Sequence, residues 1–211
     1  MFDIEYKGGN CIIISSKDTK IITDPKLSLI GLKDISTNGA VELLTEERFT
    51  VASEDVVLGI DGPGEYGVGD FEISGFPAQR HIDSVKDPSG STIYKIRLGD
   101  LRLALIGNVY EKLSEEQLEN IGVIDLLIIP VGGNGYTLDA IGASNVVRKI
   151  SPKVVVPIHY AEPGLSYEVP QADLSEFIKE VSAPVEKTLK YRAKSSNLPT
   201  SLLVVQIERS A

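Results

Sequence analysis

The sequence predicts an α/β (α+β) fold in four layers, an αββα sandwich in which two β-sheets pack together with helices outside. Three observations carry that expectation. The first half reads as strand meanders, the second half sets helical segments between short buried strands, and 211 residues with 42% hydrophobic content suffice for one substantial core. No Pro/Ser-rich linker, block of like charge or low-complexity tract interrupts the chain, so residues 1–211 are expected to form a single domain.

In order along the chain, Phe2 to Tyr6 alternates and Asn10 to Ser15 is an apolar β-branched run. Lys20 to Thr23 follows the polar turn Ser16-Lys17-Asp18, which completes a meander. Asp24-Pro25 stops the third strand, and Lys26 to Glu54 has a weaker pattern with Val41 to Leu44 as a strand or short helix. Val56 to Ile60 is strand-like and ends in the breaker cluster Asp61-Gly62-Pro63-Gly64, after which Glu65 to Ser74 alternates again. Thr92 to Leu98 and Leu101 to Ile106 flank Gly99-Asp100, a dipeptide suited to a primed hairpin turn.

The rhythm then changes. Ser114-Glu115-Glu116-Gln117 is a capping box that opens a helix through Asn120, and Gly122 ends it. Asp125 to Val131 is a buried strand, Asp139 to Ile150 has helical periodicity until Ser151-Pro152, and Lys153 to Ile158 is a second buried strand. Asp173 begins a further helix over Leu174 to Val181, and Leu202 to Ile207 is the last strand.

The formal net charge of −9 disfavours nucleic acid as a partner, because a phosphate backbone meets net repulsion unless basic residues cluster on one face. The densest basic stretch, Lys187, Lys190, Arg192 and Lys194, lies among strand-like residues and reads as a solvated strand face. The longest apolar runs, such as Val123 to Val131, contain Asp125 and are too short to span a bilayer, so no membrane partner is expected. A single cysteine, Cys11 in Cys-Ile-Ile-Ile, makes no internal disulfide and reads as a buried core thiol. With a start in alternating strand-like residues instead of a basic segment and apolar run, this points to a cytoplasmic location.

Five segments in order carry a resemblance. They are Gly8-Gly9-Asn10-Cys11, Ile22-Thr23-Asp24-Pro25 and Gly62-Pro63-Gly64-Glu65-Tyr66. The other two are Leu113 to Gln117 running on to Ile128-Ile129-Pro130-Val131-Gly132-Gly133, and Pro152 to Tyr160. On these the chain resembles the metallo-β-lactamase-fold superfamily, in particular its branch of Zn-dependent hydrolases. The resemblance implies the αββα sandwich of that type and a metal site at the sheet edge, built from a His-x-His-x-Asp-His segment, two distant His residues and a bridging Asp. Imidazole and carboxylate suit zinc because they fill near-tetrahedral positions and leave room for a hydroxide nucleophile.

Carried over residue by residue, that ligand set is mostly replaced. The His-rich segment aligns with Thr45 to Val51, so its three His positions become Glu46, Arg48 and Val51 and its Asp becomes Thr50; a further His position falls on Gly9. The bridging Asp becomes Asn108, and only His81 and His159 remain. The metal-ligand positions implied are therefore His81, His159 and Asn108, as vestiges. Arg48 brings a fixed cation that repels Zn²⁺, and Asn108 offers a neutral amide oxygen where a carboxylate would balance charge. Asp83, two residues after His81, is placed to orient its ring.

Two other features have structural readings. Gly132-Gly133-Asn134-Gly135, between a strand and a helix, matches neither the P-loop nor the dinucleotide fingerprint and reads as a tight turn. Asp61, Glu65 and Asp70 surround the Pro-Gly turn and read as part of it. Two functions follow. The first is a non-catalytic binding or regulatory module with no resident cofactor, its partner an unknown small molecule or protein. The second is a metal-dependent hydrolase of phosphodiester, lactone or related bonds, with zinc in a rebuilt mononuclear site of His81, His159 and Asn108 or Glu46.

Overall fold

The computed structural model describes residues 1–81, 90–110 and 112–210. The meander of the first quarter forms as β1 (Phe2–Gly8), β2 (Cys11–Ser15) and β3 (Lys20–Thr23), joined in parallel by β4 (Val41–Leu43) and β5 (Leu58–Ile60). With a late strand, β13 (Tyr191–Ala193), laid against β1, they make a six-stranded sheet in the order β13-β1-β2-β3-β4-β5. Strict alternation sets the register. Phe2, Ile4 and Tyr6 are buried inward, each contributing about 1.5–3 kcal/mol, and a one-residue slip would expose all three. The outward Asp3 and Glu5 pair with Arg192 and Lys190, so part of the basic stretch is a solvated strand face facing acidic partners.

The second sheet has eight strands. Its antiparallel half is β6 (Gly64–Val68), β7 (Phe71–Ala78), β8 (Ser91–Leu98) and β9 (Leu101–Leu105). Its parallel half continues with β10 (Leu126–Pro130), β11 (Val154–Ile158), β14 (Leu203–Ile207) and, at the edge, β12 (Val185–Thr188). Among the described residues three helices accompany it: α1 (Glu115–Ile121), α2 (Ala140–Ile150) and α3 (Leu174–Val181). The capping box of α1 is complete in both directions, and Asp139 and Asp173 cap the other two. Helix α2 packs on β10 and against α3, and α1 lies on β7.

One apolar core runs between the sheets, as the sandwich requires. A second cluster covers the outer face of the first sheet: Cys11 and Ile22, facing out where Ile12 and Ile21 face in, pack with Leu27 and Ile30. Among the described residues this outer layer is a 3₁₀ turn, Leu27–Ile30, with irregular chain, where the sequence suggests a helix layer. The reason is local. Leu27 and Ile30 are three apart between Pro25 and Gly31, room for one turn and no more.

The stretch Glu65 to Ser74, read from the sequence as one alternating strand, is a hairpin. It folds at Gly69-Asp70, with Gly69 at φ +58, and Asp70 accepts from Ser16 Oγ at 2.9 Å. No helix of the described residues is long and apolar enough to cross a membrane.

Candidate functional site

The parallel strands bring their carboxyl ends to one edge, the usual place for ligands in such sheets. Polar side chains follow the apolar strands there: Asp24 after β3, Glu46 and Arg48 after β4, Arg80 after β7, Asn108 after β9 and His159 after β11. Asn10 joins from the turn between β1 and β2, and Tyr136 from the loop after β10.

The segment carrying Glu46 belongs to the first sheet but is tied to the second. Tyr94 Oη donates to the Leu44 carbonyl at 2.8 Å, and Thr92 N and Ser91 Oγ donate to the Thr45 carbonyl at 2.9 and 3.1 Å. Gly107 permits the approach, since a Cβ there would stand 2.6 Å from Thr45 Cβ.

Five side chains at this edge form a continuous hydrogen-bonded row. His159 Nδ1 meets Asn10 Oδ1 at 2.8 Å, Asn10 Nδ2 donates to Asn108 Oδ1 at 3.0 Å, and Asn108 Nδ2 donates to Glu46 Oε1 at 3.0 Å. Arg48 Nε then donates to Glu46 Oε2 at 2.8 Å, and Arg80 Nη1 reaches the same oxygen at 3.5 Å. The Glu46 side chain is only 2% exposed and both guanidinium-bearing side chains are 29% exposed, so the ion pairs have a dry end and a wet end. Arg48 also donates to Tyr136 Oη and lies over the Phe49 and Tyr136 rings, 4.7 and 5.3 Å from their centroids.

Burial sets the protonation states. Asp24 is pushed up to about 8 by desolvation, although Thr45 N and Oγ both bond its carboxyl at 2.7 and 2.5 Å. Burial, and then the Arg48 cation, push His159 down to about 3, so its imidazole is neutral at ordinary pH. The ring is stacked on Tyr167 at 4.7 Å. Both Asp24 (φ 42) and His159 (φ 52) hold left-handed backbone, a conformation uncommon for residues other than glycine that Ala52, Asn134, Ser151 and Ser182 also adopt.

A model of the β-lactamase superfamily domain matches residues 3–159, most of the chain and every residue of the hydrogen-bonded row. The chain belongs to the metallo-β-lactamase-fold superfamily. It is 34% identical to the UPF0173 protein of Pyrococcus furiosus over 213 aligned positions, covering 84% of this chain and 90% of the relative. It is 25% identical over 222 positions to a UPF0173 metal-dependent hydrolase of Natranaerobius thermophilus, covering 88% of this chain and 92% of the relative. A solved structure from Thermotoga maritima, described as a candidate Zn-dependent hydrolase of the superfamily, overlays with a TM-score of 0.77 at 21% identity, covering 98% of this chain and all of that one. At that identity the overlay shows the fold.

Against the superfamily's hallmark segment, the residues separate into two groups. Glu46 and Arg48 face the edge, whereas Thr50 Oγ1 and Val51 N both bond the Glu42 carboxylate instead. Asn108 and His159 are joined through Asn10. His81 donates its backbone N–H to the Asn108 carbonyl at 2.9 Å, and its ring lies 6.1 Å from that of Tyr110. Asp83, the residue suggested to orient that ring, lies outside the described residues.

The donor set does not fit a resident zinc. Both Glu46 oxygens accept from cations or an amide, both Asp24 oxygens are held by Thr45, and a guanidinium stands beside them. Among the described residues, no group of three or more His, Cys, Asp or Glu side chains is arranged to hold a metal ion. Asn10, Asp24, Arg80 and Tyr136 are site members that the sequence reading passed over. The signal that marks two of them is a polar residue at the edge of a buried strand, as Asn10 is before Cys11–Ser15 and Asp24 after Lys20–Thr23.

The remaining motifs are structural. Tyr66 Oη donates to the Gly62 carbonyl at 3.1 Å and Glu65 accepts from Ser74 Oγ at 2.7 Å, so the Pro-Gly-Glu-Tyr segment braces its own turn. In the Gly132 to Gly135 loop, Gly133 N donates to the Leu138 carbonyl at 3.0 Å and the Asn134 amide donates to the Pro170 carbonyl. That loop delivers Tyr136 to Arg48.

Proposed function

We propose that the protein is a non-catalytic member of the superfamily, a binding or regulatory module acting as one unit in the cytoplasm, whose strand-end site is occupied by its own side chains. The observation that carries this reading is the row His159–Asn10–Asn108–Glu46–Arg48, in which the Arg48 guanidinium and the Asn108 amide stand at positions where the superfamily's hallmark set has an imidazole and a carboxylate, with the Asn10 amide linking Asn108 to His159. Two guanidinium groups and the neutral Asn108 amide satisfy the buried carboxylate and lower the local demand for a metal. His81, His159 and Asn108 are on this reading vestigial ligand positions. The buried single thiol of Cys11 is in keeping with a reducing compartment.

A second reading, a metal-dependent hydrolase with a rebuilt mononuclear site, is favoured by one observation: relatives that match most of the chain bear the name metal-dependent hydrolase. Metal analysis of protein purified without chelator separates the two. Sub-stoichiometric zinc, manganese and iron with no thermal stabilisation on adding metal is the outcome expected of the first. Stoichiometric metal that disappears in His81→Ala and His159→Ala would establish the second in its place.

A further inference from the structure

The row from Glu46 to His159 has a direction, and the direction leaves one atom over. Glu46, held by two guanidinium groups, accepts only, so Asn108 must present its amide nitrogen to it and turn its oxygen toward Asn10. Asn10 then gives its nitrogen to Asn108 and its oxygen to His159. Asn10 Oδ1 can only accept, so the imidazole proton sits on Nδ1, and Nε2, which faces no acceptor among the described residues, carries a bare lone pair. Among the described residues that Nε2 is buried and has no hydrogen-bond partner. His159 also lines a cavity of about 30 Å³, whose other walls include Asn10, Asp24, Phe49, Tyr136 and Tyr167.

We propose that this cavity is a binding site for a small neutral hydrogen-bond donor, such as the hydroxyl end of a ligand, that donates to the lone pair of His159 Nε2; the proposal rests on the non-catalytic reading of the site. The volume admits about one or two non-hydrogen atoms, the space of a single water or a hydroxymethyl tip. Charge argues for neutrality on both sides. The Phe49 and Tyr136 faces that would attract a cation already carry the Arg48 guanidinium, which would repel a second one. An anion would bring acceptors to a nitrogen that is itself an acceptor, and the charged lining residues Lys26 and Glu168 are of opposite sign. An unmet buried acceptor is costly, and a donor entering the cavity recovers that cost.

The chain has two histidines, so long-range ¹H–¹⁵N spectra of the full-length labelled protein contain two imidazole systems, assigned with His81→Gln. The expected result, in metal-free protein, is a His159 ring protonated at Nδ1 and unprotonated at Nε2. Methanol should move the Nε2 resonance saturably toward the protonated range, while ammonium and formate at matched concentration and ionic strength should not. Asn108→Ala cuts the row and should yield a mixture of His159 tautomers with a weaker methanol response. A proton on Nε2 in the unsubstituted protein, no response to methanol, or an equal response to ammonium or formate would overturn the proposal. Zinc added in a separate titration tests the non-catalytic reading alone: stoichiometric uptake sinks that reading, and the tautomer result is unaffected by it.

Discussion

Two buried carboxylates sit at opposite strand ends, one before a strand of the second sheet and one after a strand of the first, and they are satisfied in different ways. Asp125, before β10, accepts from Arg102 N at 3.0 Å and pairs with Arg102 and Lys153, residues at the starts of the neighbouring strands of its own sheet. The two cations are 37% and 47% exposed, so each is free to turn to water. Glu46, at the carboxyl ends, belongs to the other sheet and is bound through Asn108 and Asn10 to His159. At Asp125 the polar groups close on themselves. At Glu46 they end in an unmet acceptor beside a cavity, the difference expected between a carboxylate that secures strands and one that organises a site.

The largest test of that contrast is Glu46→Ala, which leaves two guanidiniums and an amide without their common acceptor. We expect a loss of about 3–5 kcal/mol in chemical denaturation, as when one partner of a buried ion pair is removed. Next, Asn108→Ala strands Asn10 and Glu46 but retains both cations on Glu46, for an expected loss of about 1–3 kcal/mol in the same measurement.

A third test concerns pH. Asp24, raised to about 8 from 3.8, contributes stability that is complete below 3.8 and lost as pH rises through about 8. His159, lowered to about 3 from 6.5, contributes stability that is present above 6.5 and lost as pH falls through about 3. Their slopes oppose each other between 3.8 and 6.5, and only Asp24 acts between 6.5 and about 8. Stability should therefore fall by about 1–2 kcal/mol across that upper window. Asp24→Asn, which tolerates left-handed backbone and mimics the neutral carboxyl, should abolish the fall in denaturation midpoints measured from pH 6.5 to 8. The smallest effect belongs to the other end of the strands: Lys153→Ala, removing a half-exposed partner of Asp125, should cost less than about 1 kcal/mol, and a larger loss would erase the contrast.

Much of the fold was legible because its signals are local. Ser114 and Gln117 announce a helix start by side-chain chemistry alone, and the alternation from Phe2 to Tyr6 announces a half-buried strand. The hairpin at Gly69-Asp70 was not, because alternation continues on both sides of it and period alone cannot show a reversal. Glu46, Arg48, Asn108 and His159 stood out through the superfamily resemblance, which supplies long-range correspondence that spacing cannot. Asn10 lies 149 positions from His159 and Arg48 lies 88 from Tyr136, so their pairing depends on how two sheets meet. The tautomer of His159 is further removed still, since it follows from the acceptor-only character of a residue three side chains along the row.

The attachment of Leu44 and Thr45 to Tyr94, Thr92 and Ser91, with Thr45 pressed on Gly107, has a consequence for cooperativity. Glu46 follows directly on that seam, so the two sheets cannot part without dissolving the site, and the site cannot open widely without loosening the seam. Amide exchange at Thr92, whose N–H is spent on the Thr45 carbonyl across the seam, should then proceed only through global opening and serve as one clock for both events.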